Sequence, residues 1–325
     1  MRYQAMAGLL ALVAFQSVPA AQGPTLVKSI ELPGVEGRID HLAFDAATHR
    51  LFVAALGNNT VEVLDLEREA HLKSLKGFRE PQGVASLAGA NRVAVANGEG
   101  DGLQLLDPST LQLTSVISLG DDADNVRYDA ASRRVYAGFG DGMLAAVDAE
   151  GGQVLGKVRL AGHPESFQLE RSGPRIFVNV PSAAQVAVID RQSMKVVATW
   201  PVTGAASNYP MALDEPNHRL FIGCRRPAKV LVYDTATGKQ AGSFDIVGDT
   251  DDLFYDGAKK RLYVTGGSGF LDVYDATGAP FTRVAHVATA AGARTSLYVP
   301  EQNRLYLAVP HRGSQRAEIR VYEDR

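Results

Sequence analysis

The chain has 325 residues, of which 46% are hydrophobic and 21% are charged, and its formal net charge is -3. This composition suits a globular protein with a sizeable hydrophobic core. Because no lysine- or arginine-rich run occurs, the sequence does not indicate a nucleic-acid-binding protein. The only cysteine is Cys224, so the chain forms no internal disulfide bond.

Residues 1–20 have the features of a secretory signal. Arg2 provides a short positive start, the apolar run from Ala5 to Phe15 is too short to span a bilayer, and Val18-Pro19-Ala20 has the pattern of a cleavage site. An uncleaved membrane anchor is the alternative. We therefore predict a signal peptide at 1–20, a periplasmic or secreted chain without a membrane span after cleavage, and one domain over residues 21–325.

A pattern of about 42 residues recurs seven times after this segment. A strand that opens with arginine occurs in each copy, at Arg50, Arg92, Arg134, Arg175, Arg219, Arg261 and Arg304. A second apolar strand follows and ends at an acidic residue, at Asp65, Asp107, Asp148, Asp190, Asp234, Asp275 and Glu323-Asp324. Alternation of period two indicates strands, and each copy has room for four. The sequence predicts an all-β fold, a seven-bladed β-propeller with four-stranded antiparallel blades.

The blades are predicted to start near residues 38, 80, 122, 163, 207, 249 and 293. The seventh copy stops after its third strand, and the N-terminal segment 26–34 matches the fourth strand of the other copies. We predict that this segment completes blade 7 and closes the ring, which removes an open sheet edge. The recurring arginines, aspartates and second-strand aromatic residues are interpreted as scaffold. The aspartates are expected to cap turns, and the aromatic rings to pack between blades.

Copies such as RLYVTGGSGFLDVYD (261–275) and RLFVAALGNNTVEVLD (50–65) resemble the YVTN-repeat, or YncE-like, family of seven-bladed propellers. The resemblance covers essentially the whole chain after the signal segment. It implies the propeller fold, but it does not select a function, because propellers include binding modules and several kinds of enzyme.

The segments that precede the innermost strands, here called the lead-in segments, differ from copy to copy. Together with the loops between second and third strands, they surround one mouth of the central channel. A residue that recurs in every blade serves the blade, whereas a residue found in one blade is free to serve a ligand. The candidate ligand-binding residues at this mouth are Asp40, His41, Asp124, Asn125, His163, Glu165, Asn208, Tyr209, Arg225, Asp251, Asp252, Arg294, His311 and Arg312.

Both signs of charge in this set fit a polar small molecule or a segment of a partner protein, bound by a monomeric propeller; a hydrated mouth without a ligand is the alternative. Blades 1 and 7 are neighbours, so His41, His311 and Asp252 are candidate ligands of a divalent metal ion. Otherwise the histidines form hydrogen bonds on a wet surface. The arginines either bind a carboxylate or neutralise the aspartates of the same ring.

The leading interpretation is a periplasmic, YncE-like binding propeller. One alternative is a metal-assisted hydrolase or lyase, as in the lactonase and streptogramin-lyase propellers that this fold resembles. Another is a subunit that serves a redox partner, similar to the propeller of quinoprotein amine dehydrogenases. No catalytic residue is assigned, and no cofactor other than a divalent metal ion is predicted. Cys224 is expected to be buried at the end of an apolar strand, the alternative being a thiol activated by Arg225.

Overall fold

The computed structural model describes residues 23–100, 102–120 and 122–324, so the predicted signal peptide at 1–20 lies outside the described residues. In this part of the chain the regular structure is β-strand, apart from four short 3-10 turns: Leu56–Asn58, Pro181–Ala183, Glu215–Asn217 and Pro300–Gln302. None of the helical turns found there has the length or the apolar character that crossing a membrane requires. The all-β prediction is confirmed.

The strands are numbered in chain order, beginning with β1 (Thr25–Glu31). Blade 1 contains β2 (Leu42–Asp45), β3 (Arg50–Ala55), β4 (Thr60–Asp65) and β5 (Ala70–Leu75). Blade 2 contains β6 (Pro81–Leu87), β7 (Arg92–Asn97), β8 (Leu103–Leu106) and β9 (Leu113–Ile117). Blade 3 contains β10 (Ala123–Asp129), β11 (Arg134–Phe139), β12 (Met143–Asp148) and β13 (Val154–Arg159).

Blade 4 contains β14 (Phe167–Leu169), β15 (Arg175–Val180), β16 (Gln185–Asp190) and β17 (Lys195–Pro201). Blade 5 contains β18 (Ala206–Asp214), β19 (Arg219–Arg226), β20 (Ala228–Asp234) and β21 (Lys239–Asp245). Blade 6 contains β22 (Thr250–Asp256), β23 (Arg261–Gly266), β24 (Phe270–Asp275) and β25 (Thr282–Ala288). Blade 7 contains β26 (Ser296–Val299), β27 (Arg304–Val309), β28 (Glu318–Glu323) and β1.

Each blade is a four-stranded antiparallel sheet, and the described strands form seven such sheets. The ring is closed by β1, which pairs with β28 from Thr25 opposite Glu323 to Glu31 opposite Glu318. Closure by the N-terminal strand is therefore confirmed, although the strand ends at Glu31 rather than Gly34. Pairing the two ends of the chain in one sheet gives the last blade the outer strand that the C-terminal repeat lacks.

The hydrophobic core is divided into seven clusters, each lying between two neighbouring blades. Second-strand aromatic rings fill these clusters, as predicted: Phe52 packs with residues of blade 2, Phe177 with blade 5, and Tyr263 with blade 7. Burying an aromatic side chain of this size contributes about 2 kcal/mol from apolar area alone. A regular core of this kind fixes the blades and leaves their ends free to vary.

The recurring charged residues bind backbone on the face opposite the mouth. Arg50 donates to the carbonyl of Pro108 at 2.5 Å, and Arg219 donates to that of Ala276 at 2.8 Å, so these arginines connect neighbouring blades. The aspartates that end third strands accept turn amides, as Asp234 does from Thr237 at 2.7 Å. Both scaffold predictions are confirmed, and these recurring arginines and aspartates lie away from the mouth.

Candidate functional site

The lead-in segments of four blades share a backbone feature, a positive φ followed by a β-bulge. In blades 2, 3, 5 and 6 a residue other than glycine has a positive φ near the start of the innermost strand: Glu80 (50°), Asp122 (57°), Ser207 (60°) and Asp249 (56°). The strand register then shifts, between Pro81 and Val84, Ala123 and Val126, Asn208 and Met211, and Thr250 and Asp252. Bulges of this kind bend a strand and re-aim its side chains.

These bulges correct one sequence expectation. Asp124, Asn125, Asn208, Tyr209 and Asp252 lie within innermost strands, not in loops before them. Backbone held by a sheet positions a side chain more firmly than a free loop does. The mouth is therefore built on the rigid inner edge of the ring.

The central channel encloses a cavity of about 430 Å³. His41 and Asp252 lie at its mouth, and the inward-facing side chains of the innermost strands, including Arg127 and Gln168, line its wall. Arg127 is half-buried and donates to the hydroxyl of Ser166 at 3.2 Å. The cavity has room for a small polar molecule.

His41 lies among three carboxylates from three blades. Its Nδ1 atom is 3.5 Å from Asp252 Oδ1, and its Nε2 atom is 3.8 Å from Asp40 Oδ1 and 4.0 Å from Asp124 Oδ1. Burial lowers the pKa of His41, but the charges of Asp252 and Asp40 outweigh it and raise the pKa to about 10. His41 is therefore cationic at neutral pH.

Asp40 is almost fully buried beside this histidine. Its Oδ2 atom accepts a hydrogen bond from Arg38 at 2.6 Å. Burial raises the pKa of Asp40 to about 6 even though His41 and Arg38 both act to lower it. The mouth thus holds a carboxyl group that changes charge close to neutral pH.

A second histidine, His163, lies between blades 3 and 4. Its Nδ1 atom is 2.8 Å from the carbonyl oxygen of Gly140 and 3.1 Å from Asp122 Oδ2, while its Nε2 atom is 3.8 Å from Asp124 Oδ2. One ligating atom each of Asp124, His163 and Glu165 lie within 4.8 Å of one another, the only such group of histidine, cysteine or acidic residues among the described positions.

Burial and the neighbouring charges act on the pKa values of Glu165 and Asp124. Burial raises the pKa of Glu165 to about 8, with the charge of Asp124 adding to the rise. Burial also raises the pKa of Asp124, but the hydrogen bond with His163 and the charge of His41 outweigh it and hold that pKa below its usual value. Asp124 Oδ1 is buried and accepts no hydrogen bond from the described protein.

The opposite side of the mouth is an ion-pair network. Asp251 lies between two arginines, with Arg225 Nη2 2.5 Å from its Oδ1 atom and Arg294 Nε 2.9 Å from its Oδ2 atom. Arg294 also contacts Asp249 Oδ1 at 3.1 Å, and Arg225 lies 4.1 Å from the ring centre of Tyr209. The arginines therefore neutralise aspartates of the same ring, as one of the two sequence interpretations has it.

Asn125 and Asn208 are almost fully buried at the inner edge of the ring. Asn208 donates to Asn179 Oδ1 at 3.0 Å, which joins blades 4 and 5. The amide oxygens of Asn125 and Asn208 accept no hydrogen bond from the described residues. Asp124 Oδ1 is a third such atom, and Asp251 Oδ2 is a fourth, although Arg294 Nε lies 2.9 Å from it. Buried polar atoms in folded proteins are nearly always paired.

Two predicted residues lie apart from this cluster. His311 pairs with Glu36 through its Nδ1 atom at 2.7 Å, and Arg312 is exposed, with its guanidinium against Gly292. The structure does not group His41, His311 and Asp252 as ligands of one ion, because the convergent set is Asp124, His163 and Glu165. Cys224 is buried, as expected, and burial raises its pKa to about 12, which argues against an activated thiol.

Sequence reasoning missed Arg38, Arg127 and Asp122. Arg127 alternates with Val126 and Tyr128 on an innermost strand, so a count of inward positions along β10 could have placed it in the channel wall. Arg38 lies two residues before Asp40 in a segment that precedes β2, so strand alternation gives no signal for it. Asp122 has no such signal, because its contact with His163 depends on its left-handed backbone.

No model of a known protein family matches the chain, and no curated protein matches it. Solved structures match the chain in fold. A chain in a crystal structure of a mitotic checkpoint complex gives a TM-score of 0.79 at 13% identity, covering 99% of this chain and 99% of that one. Hydrazine synthase from Kuenenia stuttgartiensis gives 0.75 at 14% identity, covering 85% of this chain and 95% of that one. At these identities the likeness shows the fold alone, and the chain is a seven-bladed β-propeller.

Proposed function

We propose that this protein is an exported, YncE-like binding propeller that captures a polar small molecule in the channel mouth. The single observation that carries the proposal is the set of three buried acceptors, Asp124 Oδ1 and Asn125 Oδ1 on the innermost strand of blade 3 and Asn208 Oδ1 on that of blade 5. A buried acceptor without a donor costs about 1–3 kcal/mol. A ligand that supplies donors offsets this cost.

This chemistry narrows the class of ligand. The unpaired atoms are all acceptors, and the arginines on the other side are already paired with Asp249 and Asp251. A simple carboxylate ligand has no donor to offer the unpaired acceptor atoms, and it must displace Asp249 or Asp251 to reach the arginines. A molecule with amine or hydroxyl groups fits better. The channel cavity that His41 and Asp252 line beside these acceptor atoms has a volume of about 430 Å³, which fits a small metabolite.

The export part of the proposal is supported by the signal features of residues 1–20, and the family part by the seven in-register repeats. A segment of a partner protein is the second candidate ligand, since a lysine side chain supplies the same donors as a free amine. One structural neighbour is a chain of a mitotic checkpoint complex, which favours keeping this candidate. The redox-subunit alternative rests on fold likeness alone.

A thermal-shift screen tests the proposal. Amines, polyols, amino acids and dicarboxylates are added to the chain in the presence of a chelator, and melting temperatures are compared for the wild type and Asn125→Ala. An amine or polyol is expected to stabilise the wild type more than the variant. Asp65→Asn, in a turn on the opposite face, is the matched control. The proposal is overturned if no compound raises the melting temperature, or if the dicarboxylates alone do.

A further inference from the structure

Asp124, His163 and Glu165 come from two neighbouring blades and offer two carboxylates and one imidazole to a common point. Asp124 is only 8% exposed, and its Oδ1 atom accepts no hydrogen bond from the described protein. This differs from a surface patch of acids, which water satisfies. The other oxygen of the same carboxylate, Oδ2, lies 3.8 Å from His163 Nε2. A buried carboxylate with incomplete hydrogen bonding beside two other ligating groups is one that a cation can complete.

The histidine is also oriented as metal-binding histidines are. Its Nδ1 atom lies 2.8 Å from the carbonyl of Gly140 and 3.1 Å from Asp122 Oδ2. A hydrogen on Nδ1 bonded to such acceptors leaves Nε2, which lies 3.8 Å from Asp124 Oδ2, as the atom that binds a metal ion. Burial lowers the pKa of His163, but the neighbouring carboxylates outweigh it and raise the pKa to about 9, so an ion displaces the Nε2 proton when it binds. Metal-ligating histidines usually have this second hydrogen bond, which fixes both the tautomer and the ring.

We propose that Asp124, His163 and Glu165 bind one divalent transition-metal ion at the channel mouth. Two oxygen ligands and one imidazole nitrogen suit zinc or manganese, whereas calcium takes six to eight oxygens. A deprotonated Asp124 and Glu165 carry the two negative charges that balance the ion. Three protein ligands leave coordination positions open for water or for a bound molecule.

The surrounding charges are of both signs, and the charges of Arg38 and Arg127 also act on Asp124. His41 is 4.0 Å from Asp124 Oδ1 and opposes a cation, but Asp252 and Asp40 lie on either side of it and offset its charge. Asp122 adds a further carboxylate beside His163. The inference rests on the proposed function only in using the same mouth, and it extends that function by giving the polar ligand an ion to coordinate.

Calorimetry on the chelator-treated full chain, with Zn²⁺ or Mn²⁺ alone as the probe, tests the site. One ion per chain is expected. Glu165→Gln and His163→Gln should each weaken binding at least 10-fold, because each removes one of three ligands. Asp122→Asn keeps a residue that tolerates the left-handed backbone and should weaken binding about 10-fold, as loss of a supporting hydrogen bond does.

Two further variants make the test specific. His49→Gln, an exposed histidine on the opposite face, should leave binding unchanged, and so should His311→Gln. Circular dichroism spectra and melting curves establish that each variant is folded. If His163→Gln does not fold, the conservative variant Glu165→Gln decides the test. An anomalous difference map of crystals soaked in Mn²⁺ locates the ion independently.

The proposal is overturned if neither metal gives heat above background, or if Glu165→Gln binds as tightly as the wild type. Weak binding that only His49→Gln or His311→Gln removes is adventitious and also overturns it. Because the small-molecule screen is run with chelator, it can succeed when the metal titration fails. The reverse outcome leaves the metal site standing and removes the amine or polyol ligand.

Discussion

Histidine and carboxylate meet in two ways in this propeller, and the difference separates structure from site. In blade 1, His71 Nε2 lies 2.7 Å from Glu62 Oε2, which also accepts from Ser74 at 2.6 Å. Thr60 donates to the other oxygen of Glu62 at 2.5 Å. Every oxygen of this fully buried carboxylate has a donor. At the mouth, His41 has three carboxylate neighbours and none is closer than 3.5 Å.

Blade 6 repeats the first arrangement. Asp272 is fully buried in the third strand, and its two oxygens contact His286 Nδ1 at 2.5 Å and the amide of Val247 at 2.8 Å. These pairs hold a third strand to its outer strand and need nothing further. A buried acid with complete hydrogen bonding is therefore a part of the blade, whereas a buried acid with an unpaired oxygen is a candidate ligand-binding group.

The largest expected effect is the loss of stability when a closed pair is opened. Glu62→Ala removes the acceptor of three side chains, and we expect the free energy of unfolding to fall by about 3 kcal/mol. Urea unfolding at pH 7 measures it. Asn125→Ala, at the mouth, is the matched comparison, because its amide oxygen has no partner to lose, and a small change is expected. Equal losses of unfolding free energy in Glu62→Ala and Asn125→Ala would contradict the distinction between the blade interior and the mouth.

The next effect depends on pH. Burial raises the pKa of Asp40 to about 6, above its value in the unfolded chain, so the folded state takes up a proton first as pH falls. The ionised form costs stability in the fold. Wild-type stability relative to Asp40→Asn should therefore rise by about 2 kcal/mol as pH falls from 8 to 4.

A turn aspartate provides the control for this slope. The backbone amide of Arg68 and the other donors of its turn lower the pKa of Asp65. Stability from Asp65 is present above its ordinary pKa and is lost only below it. Asp65→Asn should then show no change relative to wild type between pH 8 and 5. Urea unfolding across this range decides the matter, and a flat difference for Asp40→Asn would contradict the proposed burial of its charge.

The repeat explains why the blades were predictable and the site was not. Phe52, Tyr263 and their counterparts recur at one strand position, so alignment of the copies places them between blades without any structure. Closure by 26–34 follows from counting strands. The residues of the mouth are those that break the repeat, and alignment selects them for that reason.

Their partners could not be predicted in the same way. The contact between His163 and Asp122 depends on the positive φ of Asp122, and the positions of Asp124 and Asp252 depend on bulges. Neither feature has a sequence pattern shared by the four blades. His311 pairs with Glu36, which lies in the connection between β1 and β2, whose path the repeats do not specify. The partner of His311 could therefore not be predicted from the repeats.

Replacing Glu165 is expected to stabilise the fold, whereas replacing Glu62 is expected to destabilise it. Burial raises its pKa to about 8, so an ionised Glu165 costs stability at higher pH when no metal is bound. Glu165→Gln keeps the shape of the side chain and should raise the free energy of unfolding at pH 9 in chelator. The full pKa rise corresponds to about 4–5 kcal/mol, and the partial exposure of the side chain reduces this. Added Zn²⁺ should reverse the order, because only the wild type gains stability from the ion. If Glu165→Gln is less stable than the wild type in chelator, Glu165 is a structural carboxylate like Glu62 and Asp272.

The smallest effect concerns the arginine side of the mouth, where Arg225 and Arg294 both contact Asp251. Arg225 lies 4.1 Å from the ring centre of Tyr209 while it contacts Asp251. Tyr209→Leu removes the cation–π contact and should lower the free energy of unfolding by about 0.5–1 kcal/mol, whereas Tyr209→Phe keeps the ring and should match the wild type. Neither variant should change the binding of an amine in the thermal-shift screen. If Tyr209→Leu weakens that binding while Asn125→Ala does not, the ligand lies on the arginine side, and the unpaired acceptors are not its site.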